Sequence, residues 1–415
     1  MSRDYDVIII GAGASGLMSA CLLACSKLSV LILEKSDRVG KKLSATGNGR
    51  CNMTNLDMDW KKYYADRDWI SQVIERVTPQ RVIGEFERLG VLTREKDGYI
   101  YPHTNQAGTV IGALYKGIRQ KNITLRLSER VTEVLTNTDL DEGAPAEDIL
   151  VEDGAADGSF AGGRDSALGY RFTVCTDTDS YRSRYLLLAA GGEAGSEQGG
   201  SRDGYELAKS LGHTVEHIYP GLTGMNAAGR FWKEVAGTRI MGRFSLFVDG
   251  ICQGSEEGEI QITKTGVSGI PVFQLCRMAA VGLESGAPVW GEIDFVPKLG
   301  MDECTEWISQ NGFEGLVPIK WIPVIGRGQK DNRVIARTLK KFEFTITDTY
   351  GIEKAQVSAG GVPTDQIDPV SFRSTLVNGL YILGELCDAD GLCGGYNLHL
   401  AWASGILSAE DLLSE

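Results

Sequence analysis

The sequence predicts an α/β protein in which a second, mixed β and helical unit is inserted into a Rossmann-type nucleotide-binding domain. Three observations predict this class. Residues 6–34 read in the order strand, glycine-rich turn, helix, strand and acid. A second wholly apolar strand at 185–190 stops at a pair of glycines. From 194 to 355 the chain changes to short strands that alternate with helical stretches. Apolar strands that lead into helices are typical of parallel sheets.

The first element carries the strongest chemical signal, DVIIIGAGASG at 6–16. Gly11 permits a tight turn, Gly13 lets a pyrophosphate approach the backbone, and Gly16 allows the helix to pack closely on the strand. The phosphates would then meet the positive end of the helix. Glu34 closes the second strand, where its carboxylate can accept the ribose hydroxyls. The order of these features predicts that the chain binds a dinucleotide, and the expected contacts of this unit also include Ala14, Ser15 and Lys35.

The next feature is the loop GKKLSATGNGRCNMTN at 40–55, which is rich in glycine and asparagine. Such a composition exposes backbone amides and adds little bulk, so a flat, electron-accepting ring can lie against it. A plain surface turn is the alternative interpretation. The cofactor contacts expected here are Lys42, Thr46, Gly47, Asn48, Gly49, Arg50, Cys51 and Asn52.

Between 67 and 135 the patterns predict helices at 67–77, 80–89 and 107–120, a hairpin through Gly98, and one alternating strand in ITLRLSERVTEVL. Val131, in that strand, is included among the expected cofactor contacts. Residues 138–169 are rich in Gly, Ala and Asp and predict a mobile loop between two strands of a hairpin.

Two later segments are also expected to contact the nucleotide. The strand at 185–190 ends at Ala190 and Gly191, and residues 379–405 predict a strand, a glycine-rich turn with acids, and a helix. A third cofactor segment is therefore expected far along the chain, with contacts at Gly384, Glu385, Asp390, Gly394, Gly395, Tyr396, Asn397 and Leu398. The predicted domains are a nucleotide-binding domain formed by 1–193 and 356–415, and an inserted substrate domain at 194–355.

Composition excludes several classes of function. The 415 residues are 42% hydrophobic and carry a net charge of −13, so we expect a globular protein that is not a nucleic-acid binder. Nine cysteines without a CxxC pair indicate reduced thiols in a cytoplasm. The four histidines have no zinc-type spacing, so no metal is expected. No apolar stretch is long enough for a membrane span, and the chain passes straight into the nucleotide strand, so we expect no removable signal. The oligomeric state is left open.

The motifs GAGASG with Glu34, GKKLSATGNGRCN, YLLLAAGG, GEIQITKTGVSG and GELCDADGLCGGYN together resemble a known bacterial family. This is the family of NAD(P)/FAD-dependent, aminoacetone-oxidase-like flavoproteins, which includes reductases of 3-dehydro bile acids. The resemblance runs nearly from end to end, and the loop at 138–169 is its main departure. It implies FAD rather than NAD at the Gly11–Gly16 turn, a glutathione-reductase-like nucleotide fold, and an inserted substrate domain that is partly β-barrel and partly helical.

Only one GxGxxG motif occurs, so a nicotinamide would bind transiently, without a dedicated Rossmann fold. We therefore expect non-covalent FAD, with NAD(P)H as a transient electron donor. Reduction of an activated alkene needs a hydride and a proton donor. The candidate catalytic residues are Arg50, which would stabilise negative charge, and the available proton donors His103, Tyr396, His399 and Tyr101. A satisfied buried histidine is the favoured interpretation of His399. Arg50 could lower the pKa of Cys51, although a backbone role for that loop is favoured.

Three functions stay open at this stage. The first is an FAD-dependent, NAD(P)H-driven reductase of an enone-type or steroid-like small molecule. The second is an FAD oxidase of small amines or aminoketones that releases hydrogen peroxide. The third is a flavin-containing RNA-modification or regulatory binding protein, which the acidic charge disfavours.

Overall fold

The computed structural model describes residues 3–136 and 169–415. Its centre is a mainly parallel sheet built on the strand Asp4–Ile10. This strand pairs in parallel with Val30–Glu34 on one side and Ser180–Leu188 on the other. The pairing order across the sheet is Ile123–Leu127, Val30–Glu34, Asp4–Ile10, Ser180–Leu188, Phe172–Thr176 and Val131–Thr136, with Leu380–Ile382 paired to the end of Ser180–Leu188. The central strands are apolar because helices or further chain cover both faces of the sheet.

Helices pack on this sheet and complete the first hydrophobic core. The helix Ala14–Leu23 follows the first strand and packs against the long C-terminal helix Tyr396–Ser414. Within residues 3–136 and 169–415, further helices of this part are Arg67–Arg76, Pro79–Arg88, Ala107–Gly117 and Asp203–Ser210, with one short turn of helix at Thr46–Gly49. Three small antiparallel pairings lie at its edges: Thr93–Lys96 with Tyr99–Pro102 and Thr54–Asn55, Tyr63–Tyr64 with Asp390–Gly391, and Tyr219–Gly221 with Val357–Ala359.

A second unit is formed by a closed six-stranded barrel with its own hydrophobic core. The strands follow one another around the barrel as Met225–Ala227, Gly266–Ser268, Ile251–Ile262, Arg239–Val248, Val289–Asp294 and Phe342–Thr349. Its helices are Ile270–Glu284, Met301–Asn311 and Asn332–Lys340, with the short turns Trp232–Val235 and Ile322–Ile325. Aromatic rings fill the core, and Trp321 packs edge-on against Phe295 with their centroids 5.0 Å apart. The predicted barrel-like and helical insertion is confirmed.

The second core begins later than residue 194. Tyr205, Leu207 and Ala208, in the helix Asp203–Ser210, pack in the first core, whereas the second core runs from Met225 to Ile346.

One element differs from the sequence prediction. The single strand predicted at 123–135 is two strands, Ile123–Leu127 and Val131–Thr136, at opposite ends of the pairing order. The chain turns at Ser128, which adopts a φ of 55° and donates its N–H to the carbonyl of Ser36 at 2.9 Å. The alternation ends at Leu127, but the three polar residues that follow, Ser128, Glu129 and Arg130, include no glycine or proline to mark a turn.

The loop predicted over 138–169 lies outside the described residues as far as residue 168. In the stretches 3–136 and 169–415, no helix is both long and apolar enough to cross a membrane. In those same stretches, no group of three or more His, Cys, Asp or Glu side chains is arranged to hold a metal ion.

Candidate active site

The glycine turn after the first strand has two kinds of glycine. A Cβ atom on Gly11 would lie 2.3 Å from the carbonyl oxygen of Ala189, and one on Gly16 would lie 2.2 Å from that of Gly11. The space beside Gly13 is different, because no heavy atom comes within 4 Å of a Cβ placed there. Gly13 is also the N-cap of the helix Ala14–Leu23. The protein's own packing thus requires Gly11 and Gly16, whereas Gly13 keeps open a space at the helix N-terminus where a phosphate can bind.

Glu34 lies at the end of the neighbouring strand, as predicted. One carboxylate oxygen accepts the N–H of Ala12 at 2.8 Å, and the other accepts the N–H of Ser36 at 2.8 Å. These bonds fix the orientation of the half-buried carboxylate next to the glycine turn. A carboxylate has about four acceptor positions, so it can still accept the hydroxyls of a ribose.

Distant segments converge on this turn. A Cβ on Gly384 would lie 3.1 Å from Oγ of Ser15, which places the C-terminal segment against the first helix. Beside it, Nζ of Lys42 lies 2.7 Å from a carboxylate oxygen of Glu385. Lys35 pairs with Asp203 at 3.2 Å, so carboxylates already hold both lysines that we expected at the cofactor. These lysines join the walls of the site to each other.

The loop at 46–52 is tightly folded. Gly47, Asn48, Gly49 and Cys51 all have positive φ, and the N–H of Cys51 bonds to the carbonyl of Thr46 at 3.1 Å. Burial raises the pKa of the Cys51 thiol to about 12. The hypothesis that Arg50 lowers this pKa is therefore wrong, because the thiol is inside the protein while Arg50 is exposed. A backbone role of the loop agrees with this geometry.

Asn52 has a buried acceptor to which a ligand can donate a hydrogen bond. Its Oδ1 atom is buried and has no hydrogen-bond partner. A Cβ on Gly395 would lie 3.0 Å from this oxygen, so the acceptor faces the start of the C-terminal helix. Leaving a buried acceptor unpaired costs about 1–3 kcal/mol. A ligand that brings an N–H to this point would remove that cost.

The turn before the C-terminal helix is held by side chains that we had expected at the cofactor. Asn397 accepts the N–H of Gly391 at 2.8 Å and donates to its carbonyl at 2.7 Å. Asp390 is buried and forms an ion pair with Arg277 of the helix Ile270–Glu284. Burial raises the pKa of Asp390 to about 7, and Arg277 opposes that rise. Asn397 and Asp390 therefore shape the segment, and Asp390 also ties it to the barrel unit. Leu398, on the first turn of the helix, is half-buried.

His399 does not have a free ring nitrogen. It is completely buried, with Nδ1 2.7 Å from Oγ1 of Thr54 and Nε2 2.8 Å from the carbonyl of Val77. Burial lowers its pKa to about 4, so the ring is neutral and donates to Val77. This placement corrects the suggestion of a proton donor and agrees with a satisfied core histidine.

The other predicted donors also lie apart from an open site. The Tyr396 hydroxyl donates to the carbonyl of Asp57 at 3.2 Å, and its ring packs edge-on against Tyr63. His103 is exposed just beyond the end of the hairpin strand Tyr99–Pro102. These positions favour structural roles for Tyr396 and His399, and His103 is a solvent-exposed side chain.

The structure brings together residues that sequence reasoning did not combine. Tyr99 and Tyr101 point to the same side of the hairpin strand, and the ring of Tyr99 comes within 3.3 Å of a Cβ position on Gly394. Burial raises the pKa of Tyr101, while the nearby Arg50 lowers it. Cys393 lies close enough to raise the pKa of both tyrosines. The signal in the sequence was the period-2 spacing of the two tyrosines in a predicted hairpin.

The barrel unit borders this group of residues. Gln274, on the helix Ile270–Glu284, accepts the N–H of Cys393 at 2.7 Å and donates to its carbonyl at 3.4 Å. Glu256, on a barrel strand, lies near Tyr64 and Lys62. A separate cavity of about 860 Å³ opens where Arg277 and Asp388 meet Trp69, and its lining includes none of the predicted cofactor contacts. The geometry favours the space between the glycine turn, the loop at 46–52 and the barrel as the reactive site.

Comparison with known proteins gives related sequences over the full chain. The family model described as the HI0933-like protein Rossmann domain matches residues 5–147 and 164–411. A 3-dehydro-bile acid delta(4,6)-reductase of Clostridium scindens is 32% identical, over 96% of this chain and 97% of that protein. A ribosomal RNA dihydrouridine synthase of Haemophilus influenzae is 25% identical, over 99% of this chain and 98% of that protein. Among solved structures, the match to a quinol-fumarate reductase covers 100% of this chain and 71% of the reductase chain, with 15% identity and a TM-score of 0.49.

Proposed function

The chain belongs to the HI0933-like FAD-binding Rossmann family, and we propose that it is an FAD-dependent reductase of a carbon–carbon double bond conjugated to a carbonyl group. The proposed substrate is a steroid-like enone, and the proposed electron donor is NAD(P)H. This is an oxidoreductase function of the kind that the family resemblance implied.

One observation carries the cofactor assignment: three distant segments meet around an open glycine turn and a buried, unpaired acceptor. Gly13 and Glu34 would hold the pyrophosphate and ribose, and Asn52 with Gly395 would hold the ring system. The imide N–H of an isoalloxazine is a donor of the kind that Oδ1 of Asn52 lacks. Bound FAD supplies the hydride chemistry, which no side chain can perform alone.

The substrate class rests on chemistry that the relatives share. A 3-dehydro bile acid with 4,6 unsaturation contains carbon–carbon double bonds conjugated to a carbonyl, and dihydrouridine is uridine in which such a bond has been saturated. Both substrates would accept a hydride at the carbon β to the carbonyl and a proton at the α carbon. The more similar relative acts on the steroid, so we place a steroid-like molecule first.

The residues around the site suit this reaction. Arg50 is exposed and forms no ion pair with any side chain in residues 3–136 and 169–415. Its guanidinium is therefore available to a substrate carbonyl on which negative charge develops. The half-buried ring of Tyr99, on the strand Tyr99–Pro102, can exclude water from the reacting carbon.

A uridine in RNA is the second candidate substrate, because one segment contrasts with the acidic charge of the whole chain. Residues 319–341 contain seven Lys or Arg residues against a single acid, Asp331. Arg333 and Arg337 are both exposed, one turn apart on the helix Asn332–Lys340. Exposed cations of this kind can contact RNA phosphates.

The test uses the purified holoprotein under nitrogen. The flavin is reduced with NADH or NADPH, and its reoxidation is followed at 450 nm after addition of a 3-oxo-4,6-diene bile acid, a uridine-containing rRNA fragment, or oxygen. Fast reoxidation by the steroid alone supports the proposal. Reoxidation by RNA alone selects the second candidate, and reaction with oxygen alone indicates an oxidase of amines or aminoketones. A colourless protein that FAD cannot restore would exclude all three.

Steady-state kinetics tests the order of events. With one dinucleotide fingerprint, the nicotinamide and the substrate would use the same cleft in turn, so we expect parallel double-reciprocal lines. We also expect inhibition by each reactant at high concentration. Intersecting lines would contradict the shared cleft.

A further inference from the structure

We propose that Tyr99 is the proton donor of this reduction and that it protonates the carbon α to the substrate carbonyl. This assignment rests on the proposed function, and the experiment below separates the two.

The backbone around Tyr99 is held rigidly. Asp97 and Gly98 both have positive φ, 54° and 82°, which is the two-residue turn that suits a hairpin. Tyr99 pairs with Lys96 across that hairpin and with Asn55 on its other side. Asn55 in turn donates its side-chain N–H to the carbonyl of Gly394 at 3.0 Å. The position of Tyr99 relative to the segment at 394–395 is therefore fixed before any ligand binds.

The side chain of Tyr99 faces the proposed ring site. Its ring lies 3.3 Å from a Cβ position on Gly394. The next residue is Gly395, which faces the unpaired Oδ1 of Asn52. Ile100, the next residue of the strand, points the other way and is buried. Tyr101 returns to the same side as Tyr99 but lies one pleat further along the strand.

The Tyr99 hydroxyl is available. In residues 3–136 and 169–415 it has no hydrogen-bond partner, and neither has that of Tyr101. Buried tyrosines that have structural roles are different: Tyr63 donates to the carbonyl of Tyr396 at 3.0 Å, and Tyr381 donates to Asp411 at 2.7 Å. A half-buried hydroxyl that no protein group holds can donate to a substrate.

The surroundings keep this hydroxyl protonated. Burial raises the pKa of Tyr99, Cys393 and Asp97 raise it further, and Lys62 lowers it. Tyr99 is thus a neutral acid at physiological pH. Arg50 lies on the Tyr101 side of the strand, where it can stabilise the oxygen of the enolate that accepts the proton.

A dihydronicotinamide would be the reductant, and bound FAD would supply its two electrons to the β carbon as a hydride. The O–H bond of Tyr99 breaks, a C–H bond forms at the α carbon, and the double bond becomes single. Water then returns a proton to the Tyr99 phenolate.

The experiment separates the two halves of the reaction in Tyr99→Phe, with Tyr101→Phe as the matched control. Both variants lose one hydroxyl on the same side of the same strand. We expect Tyr99→Phe apoprotein to bind FAD with wild-type affinity by fluorescence quenching and to be reduced by NAD(P)H at the wild-type rate. Its reoxidation by the 3-oxo-4,6-diene bile acid should slow by about 10²–10⁴, and that of Tyr101→Phe by less than about tenfold.

A second readout follows the proton itself. In D₂O, dithionite-reduced wild-type enzyme should place deuterium at the α carbon. In Tyr99→Phe, protonation of that carbon by water should limit reoxidation, so the solvent isotope effect on reoxidation should be larger than in the wild type. Wild-type reoxidation in Tyr99→Phe, or the large loss in Tyr101→Phe instead, would overturn the assignment. If the reduced wild-type enzyme binds FAD but no enone reoxidises it, the proposed function is wrong, and so is the role of Tyr99.

Discussion

The ammonium of Lys42 lies 2.7 Å from a carboxylate oxygen of Glu385, although 343 residues separate them in the chain. The second carboxylate oxygen also accepts the N–H of Ser358 at 2.8 Å and Lys42 at 2.8 Å. The pair joins the glycine-rich loop of the first third of the chain to the C-terminal segment, so both sides of the proposed ring site are connected before a ligand arrives.

This ion pair should stabilise the apoprotein. Both side chains are less than one third exposed, so we expect a double-mutant cycle with Lys42→Ala and Glu385→Gln to give a coupling free energy of about 1 kcal/mol in urea unfolding. The exposed pair Arg81–Glu410 is the control, with an expected coupling near zero. Equal coupling in the two pairs would contradict a special role for Lys42.

The glycine turn predicts opposite results for two similar substitutions. Gly16→Ala forces a Cβ into a carbonyl oxygen 2.2 Å away and should destabilise the apoprotein itself. Gly13→Ala meets no protein atom, so its thermal unfolding without FAD should match the wild type while FAD binding is lost. Calorimetry of the apoproteins and FAD fluorescence titration measure the two effects. Normal FAD binding by Gly13→Ala would show that the pyrophosphate lies elsewhere.

Glu34 should contribute to FAD binding through its carboxylate. Glu34→Ala removes the ribose acceptor and the bonds to Ala12 and Ser36, and it should weaken FAD binding by about 1–3 kcal/mol. Glu34→Gln keeps one oxygen acceptor and should lose less of the FAD affinity. Calorimetric titration of the apoproteins with FAD gives the values. Unchanged affinity in Glu34→Ala would remove Glu34 from the site.

His399 should make the stability of the protein depend on pH. Its folded pKa of about 4 lies below its ordinary value of 6.5, so the neutral ring stabilises the fold above pH 6.5. This contribution, at most about 3 kcal/mol, is lost as the pH falls from 6.5 towards 4, because the unfolded chain takes up the proton first. In His399→Gln the free energy of unfolding should fall less steeply over that range. Urea unfolding at pH 7 and pH 4.5 measures this difference. An equal fall in the free energy of unfolding between the two pH values in the wild type and in His399→Gln would contradict the effect.

Arg50 should matter for chemistry and little for the fold, since it is exposed and carries no ion pair in the described residues. Arg50→Ala should slow reoxidation of the reduced enzyme by the enone by about 10² if its charge stabilises the enolate oxygen. Arg94, also near Tyr101 but bonded to Asn105 at 2.9 Å, is the matched control, and Arg94→Ala should react normally. Stopped-flow absorbance at 450 nm measures both, and equal rates in the two variants would exclude Arg50.

The parts of the fold that local patterns encode could be predicted. The strand from Asp4 to Ile10, its glycine turn and Glu34 follow directly from apolar runs and glycine spacing, and the hairpin through Gly98 follows from its turn. The break at Ser128 was missed because the polar run Ser128, Glu129 and Arg130 contains no glycine or proline to mark a turn. What ends the strand is a bond to Ser36, which is distant in sequence.

The candidate site could be predicted only in part, because local sequence patterns do not show which side chains meet after folding. Residues near the motifs, such as Asn52 and Gly395, were found by their position in the sequence. Whether a side chain is free depends on its partners after folding: Thr54 and Val77 engage His399, Gly391 engages Asn397, and Asp57 engages Tyr396. Tyr99 gave no motif of its own and is distinguished by a hydroxyl without a partner together with a ring that lies 3.3 Å from a Cβ position on Gly394.

The bonds from Gln274 and Arg277 to Cys393 and Asp390 have a consequence for engineering hybrid enzymes. Both side chains lie on the helix Ile270–Glu284, so a barrel transplanted from a relative brings its own side chains to these two positions. A graft without the arginine would leave the buried Asp390 carboxylate without its counter-ion, and a graft without the glutamine would free the backbone of Cys393. Chimeras that change substrate range should therefore keep Gln274 and Arg277 of the recipient, whatever barrel they receive.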